Sequence, residues 1–226
     1  MKRFLTQLKP RYVVVYLLGI LALGLAVALL KRSQLGVPPW DTSTLNLQSY
    51  LASFSITITV GQSSLIHTTF LLLLTWAITR SLKAFYALLP MILVSQSIDL
   101  FDLIVLVNLP SFQDVYEIQI PLFILGTLLM TFGLAAIIVS GYPPNIYDAF
   151  QLAIMKVFHI RSFTLARWIL EFSGIGLGIL YALLEPGEGL GTVTWLSIGL
   201  AAVFGTIIKQ YIKVFKKMKI INREGI

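Results

Sequence analysis

YVVVYLLGILALGLAVALLKRSQLGVPPWD, residues 12–41, sets the class of this fold. From Tyr12 to Leu30 no side chain is charged. A helix of that length crosses roughly 30 Å, the thickness of a bilayer's hydrocarbon core. Lipid accepts such a helix because it satisfies its own backbone hydrogen bonds. Pro38-Pro39-Trp40-Asp41 then breaks the run, and TSTLNLQSYLAS (42–53) follows as a helical stretch too short to cross.

Five further apolar runs lie outward from this stretch. With the first, the expected spans are 12–31, 61–79, 83–107, 118–140, 164–184 and 189–212. The 226 residues are 57% hydrophobic and only 12% charged, with mean hydropathy +0.87. A soluble domain carries about 25% charge. A transmembrane β-barrel needs short alternating segments, and the sequence has none. The basic start resembles a signal peptide, but its apolar run is too long and no small-residue cleavage site follows. It reads as a retained first span. Without cysteine there are no disulfides, thiolate metal ligands or thiol chemistry.

Charge sets the expected orientation. Lys2, Arg3, Lys9 and Arg11 hold the N-terminus in the cytoplasm. Arg80 and Lys83, the group Lys156, Arg161 and Arg167, and the tail Lys209, Lys213, Lys216, Lys217 and Lys219 fall on the same side if the short pieces turn back. Asp114, Glu117, Glu185 and Glu188 then lie outside. The net charge of +7 belongs to these membrane flanks and points to anionic lipid at the C-terminal tail, with no nucleic-acid role. Lys31 and Arg32, at the outer end of the first span, break the rule.

The two halves repeat an order of parts. SQLGVPPWD (33–41) ends one span and precedes a short piece, then SITITVGQSSL (55–65) opens another span. VSGYPPNIYD (139–148) ends a later span, AFQLAIMKVFH (149–159) is its short piece, and IRSFTLARW (160–168) opens the next. Two more residues separate Pro144 from Asp148 than separate Pro39 from Asp41. Three crossings per half is an odd number, so the second half is expected upside down relative to the first. The expected fold is all-α and integral to the membrane. Six transmembrane helices form two inverted three-helix repeats, residues 1–113 and 114–226, with half-helices at 42–53 and 149–159.

LALGLAVALLKRSQLGVPPWD (21–41), GYPPNIYD (141–148) and ARWILE (166–171) resemble the bacterial YczE/YitT-type multi-pass membrane proteins over about residues 15–210. The sharpest element is LG-x-x-P-W-D at 35–41. The second half of such proteins commonly has a shorter proline-to-aspartate run, which marks Asn145-Ile146 as an insertion. The resemblance implies a membrane class and little chemistry.

The candidate solute-binding residues are Trp40, Asp41, Gln62, His67, Tyr147, Asp148, Arg167 and Glu171. Asp41 and Asp148 suit the first turn of their short helices, where a carboxylate meets free N–H groups. A carboxylate at membrane depth is also suited to binding a cation or carrying a proton. Trp40 and Tyr147 precede them directly. Arg167 and Glu171 stand four apart on one helix face and pair, as buried charges require. Gln62, Ser63 and His67 occupy the matching stretch of the second span, where a histidine is either a packing residue or a proton carrier. Asp99 and Asp102 are expected in water at the outer end of the third span. Ser173, Gly174, Gly176 and Gly178 permit close helix approach.

These residues point to a small-solute transporter or permease, with a polar site between the repeats and one carboxyl available to carry a coupling proton. The competing reading is a non-transporting scaffold or regulator that binds lipid or another membrane protein. The sequence leaves self-association open. No H-E-x-x-H, phosphate loop or G-x-S-x-G is present, and two histidines make no metal constellation. No enzyme, metal or cofactor is expected. The expected location is the bacterial plasma membrane, with both termini cytoplasmic.

Overall fold

The computed structural model describes residues 9–112, 115–184, 192, 194–218 and 220, and all regular structure among them is helical. Helix α1 spans Pro10–Ser33, with proline in its first turn and Gln34 ending it in the left-handed region at φ 57°. Helix α2 spans Pro39–Ser53 and α3 spans Val60–Thr79. A 3-10 turn at Leu82–Ala87 runs into α4, Leu88–Asp99, which continues as a π segment, Leu100–Val105. The second half holds α5 (Tyr116–Ser140), α6 (Ile146–Val157), α7 (Phe163–Leu184) and α8 (Trp195–Lys217).

Among the described residues, five stretches are long and apolar enough to cross a membrane: 10–33, 82–105, 116–140, 164–184 and 195–217. Helix α3 has 20 residues, but Gln62, Ser63, Ser64, His67, Thr68 and Thr69 crowd its first half. The short helices open earlier than 42 and 149, at Pro39 and Ile146. For α2 the reason is local, since Pro39 takes the first helical position, where its missing N–H costs nothing. The last span opens late, at Trp195, behind a capping box between Thr194 and Ser197. Residues 189–191 and 193, with Asp114, Glu185 and Glu188, lie outside the described residues.

Helices α1 and α5 form the centre of the molecule. A Cβ placed on Gly19 would lie 2.9 Å from the Gly133 carbonyl oxygen, and one on Gly133 only 2.7 Å from that of Gly19. The two backbones therefore touch, which only glycine allows. Ala26, Leu30, Ala135, Ala136 and Ile137 are fully buried around this crossing. Leu17, Leu21, Phe70, Leu73, Ile124 and Leu125 face outward, as lipid-facing positions do. Helix α2 packs on α7, α3 on α6, α4 on α1 and α8 on α5.

The C-terminal end of α1 corrects one expectation and gives Lys31 and Arg32 a partner. Asp102 is buried, not in water. It accepts from Lys31 Nζ at 2.8 Å and from Arg32 Nη1. Arg32 also donates to the carbonyls of Asp102 (2.8 Å), Leu106 (2.9 Å) and Leu109 (3.0 Å). The guanidinium ties the π segment and its following loop to α1. Asp99 accepts from Thr59 Oγ1 at 2.6 Å and from the Gly61 N–H at 2.8 Å, securing the start of α3.

Candidate functional site

The site begins with the seating of α2 on α7. Ser43 Oγ donates to the Gly174 carbonyl and Asn46 Nδ2 to that of Gly178, both at 2.9 Å. These two bonds use positions three apart on α2 and four apart on α7, so the helices are laced along their length. Gly174 leaves room for the α2 N-terminus: a Cβ there would stand 3.1 Å from the Trp40 ring and the Pro39 backbone. Gly176 faces open space. The first turn of α2 is thereby held beside the face of α7 that carries Arg167 and Glu171.

Helix α6 arrives from the opposite half. Tyr16 donates its hydroxyl to the Pro143 carbonyl at 3.2 Å, fixing the loop before α6. Trp40 and Tyr147 are each the second residue of their helix, and Asp41 and Asp148 each the third. The two rings meet with centroids 5.3 Å apart and planes tilted by 39°. The offset counted between Pro144 and Asp148 arises because Pro144 precedes the Asn145 cap of α6, whereas Pro39 is the first residue of α2.

Around this meeting point lies a cavity of about 60 Å³, with Asp41, Ser64, Asn145, Tyr147, Arg167 and Glu171 on its polar side. One water needs about 10–15 Å³ of such volume, so the space holds a small cluster. Leu23, Val27, Met130, Leu134 and Phe204 close its apolar side. Arg167 Nη1 donates to Asp148 Oδ1 at 3.0 Å. Its Nε lies 2.6 Å from Glu171 Oε1, an ion pair between residues four apart on α7. All three side chains are largely buried. Such charges hold in a low-dielectric seam only as partners. Arg167 also borders a second cavity between α7 and α8, beside Thr164, Thr206 and Lys209.

Of the residues expected at the site, Trp40, Asp41, Tyr147, Arg167 and Glu171 border the central cavity. Asp148 joins them through Arg167. Gln62 does not: it is exposed, and its side chain closes the capping box with Thr59. His67 is buried but away from the cavity, edge-on to Tyr181 at 5.6 Å, with neither ring nitrogen hydrogen-bonded among the described residues. Ser64 and Asn145 were not anticipated. Asn145 was legible as a helix-capping residue type immediately before α6.

The model of a family of unknown function (DUF6198) matches residues 10–213. The chain belongs to the DUF6198 family. It is similar to a protein of Bacillus subtilis (strain 168) named "Uncharacterized membrane protein YczE". The two are 28% identical over 195 residues, covering 86% of this chain and 82% of that protein. No solved structure matches. This member of DUF6198 is a multi-span membrane protein, as its five long apolar helices and its YczE-like sequence establish.

Proposed function

We propose that the chain is a small-solute permease of six spans, built as two inverted halves, with its solute site in the central cavity and a carboxyl there to carry a coupling proton. The cavity carries this reading. Polar and ionisable groups from both halves border it where two helix N-termini meet. Broken or short helices at matching positions of two halves are the usual construction of a transporter's site. A seam that only joined two halves would be filled with small and apolar side chains.

Several features support the inversion. Exchanging α1–α4 for α5–α8 maps the packing onto itself: α2 on α7 becomes α6 on α3, and α1 on α4 becomes α5 on α8. A vestibule of about 210 Å³ follows α1, beside Lys31, Gly36, Gln48 and Thr194. Another of about 270 Å³ follows α5, beside Lys83, Gly141, Pro144 and Ala149. Helix α3 serves as the sixth span: its polar half turns inward at Ser63 and His67, while Ile66, Phe70 and Leu73 turn outward. The basic flanks support an orientation with both termini cytoplasmic in a bacterial plasma membrane, and Lys213, Lys216 and Lys217 suit anionic lipid. The reading calls for no catalysis and no cofactor.

Flux into proteoliposomes tests it. Purified protein is reconstituted around a pH-sensitive dye and offered cationic, zwitterionic and neutral small solutes. Saturable flux that Asp41→Asn abolishes is the expected result. Behaviour identical to protein-free liposomes with every solute would leave the scaffold reading in its place.

A further inference from the structure

The central cavity gathers more acidic side chains than basic ones. Asp41 and Glu171 border it, and Arg167 is the bordering cation. Asp148 sits on the same guanidinium. The N-termini of α2 and α6 both reach the cavity, through Trp40 and Asp41 and through Asn145 and Tyr147. Each such terminus contributes about half a positive charge. With all three carboxyls ionised, they stand against one guanidinium and two half-charges, which leaves about one negative charge for a bound cation to cancel. Glu171 is only 2% exposed, and its sole charged partner among the described residues is Arg167. Among those residues, Asp41 has no ion pair at all.

We propose that this cavity binds a small organic cation of the alkylammonium class, held between the carboxylates of Asp41 and Glu171 and the rings of Trp40 and Tyr147. It rests on reading the cavity as the solute site, and it names the solute's chemistry. Two adjoining aromatic rings attract a cation through their π faces. The apolar side, Leu23, Val27, Met130, Leu134 and Phe204, suits alkyl substituents. A metal ion needs several converging ligands. Among the described residues no three carboxylate or imidazole side chains converge on one position.

Binding is read on the purified full-length protein in detergent by calorimetry, with choline, tetramethylammonium, sodium and 3,3-dimethyl-1-butanol as probes. The last is choline's shape without its charge. Choline and tetramethylammonium are expected to bind saturably, and the neutral alcohol and sodium about tenfold more weakly or not at all. Asp41→Asn and Trp40→Leu, each monodisperse by size exclusion, are each expected to weaken choline about tenfold. Equal binding of choline and the neutral alcohol, no saturable binding of either ammonium, or parental affinity in both variants would each overturn the proposal. Flux in proteoliposomes separates the two readings. Choline binding without flux of any solute keeps the cation site and removes the permease. Saturable flux of another solute without ammonium binding keeps the permease and removes the cation site.

Discussion

Trp40 and Tyr147 hold the same position in two different helices, the second residue of α2 and of α6, and their rings meet 5.3 Å apart. Each short helix begins one residue before this contact, so the two pieces share one centre. Trp40 is seated there by Gly174, which presents no side chain to its ring.

Gly174→Val is expected to destabilise the protein by about 1–3 kcal/mol, the usual cost of overpacking. Gly176→Ala, two residues on and facing open space, should instead stabilise α7 by roughly 0.5–1 kcal/mol through helix propensity. Thermal unfolding of both variants in detergent measures the difference. Equal melting temperatures would show that α2 is not seated on Gly174.

Removing the carboxylate at position 102 strands two cations. Asp102→Leu leaves Arg32 buried with carbonyl partners but no countercharge, a change expected to cost about 3–5 kcal/mol. Asp99→Leu, which takes a hydrogen-bonded carboxylate from the start of α3, should cost about 1–3 kcal/mol. Melting temperatures rank the two. A milder effect at 102 than at 99 would contradict the buried triad of Lys31, Arg32 and Asp102.

The chain lacks cysteine, so single cysteines report topology without background. Asn108→Cys, exposed in the loop after the π segment, should react with an impermeant maleimide added to intact cells. Lys217→Cys, at the end of α8, should react only after the cells are opened. Labelling of position 217 from outside would reverse the proposed orientation.

Glu171→Gln keeps the shape of a side chain that is 2% exposed but removes a countercharge from Arg167, which keeps Asp148. The expected outcome is loss of solute flux in proteoliposomes, with a stability cost of a few kcal/mol, about 3–5 at most. Asp41→Asn, whose parent has no ion pair among the described residues, should lose flux while melting within about 1 kcal/mol of the parent, the usual worth of a carboxylate at a helix N-terminus. Normal flux in both variants would place the solute path elsewhere.

The helical class and five of the expected apolar spans were legible because lipid imposes one rule on every segment that crosses it. The lacing of α2 on α7 was partly legible, since the small residues near Gly174 mark close approach. Other features escaped for local reasons. Gln62 was read as a site residue from its place in the repeat, although Thr59-x-x-Gln62 is also the pattern of a capping box. Asp102 was assigned to water because its cationic partners lie 70 and 71 residues away in sequence. No periodicity within one helix shows what a distant helix brings to its end. Counting from prolines put Asp148 out of step with Asp41, whereas counting from the helix starts brings them into step.

The Gly19–Gly133 crossing has a mechanical consequence. Two backbones in direct touch can turn about the point of contact, but sliding drives a carbonyl into the opposing main chain. The helices that lead the two halves are joined at an axle rather than along a rail. Any turning of one helix about the other would displace atoms least at that crossing and most toward the helix ends.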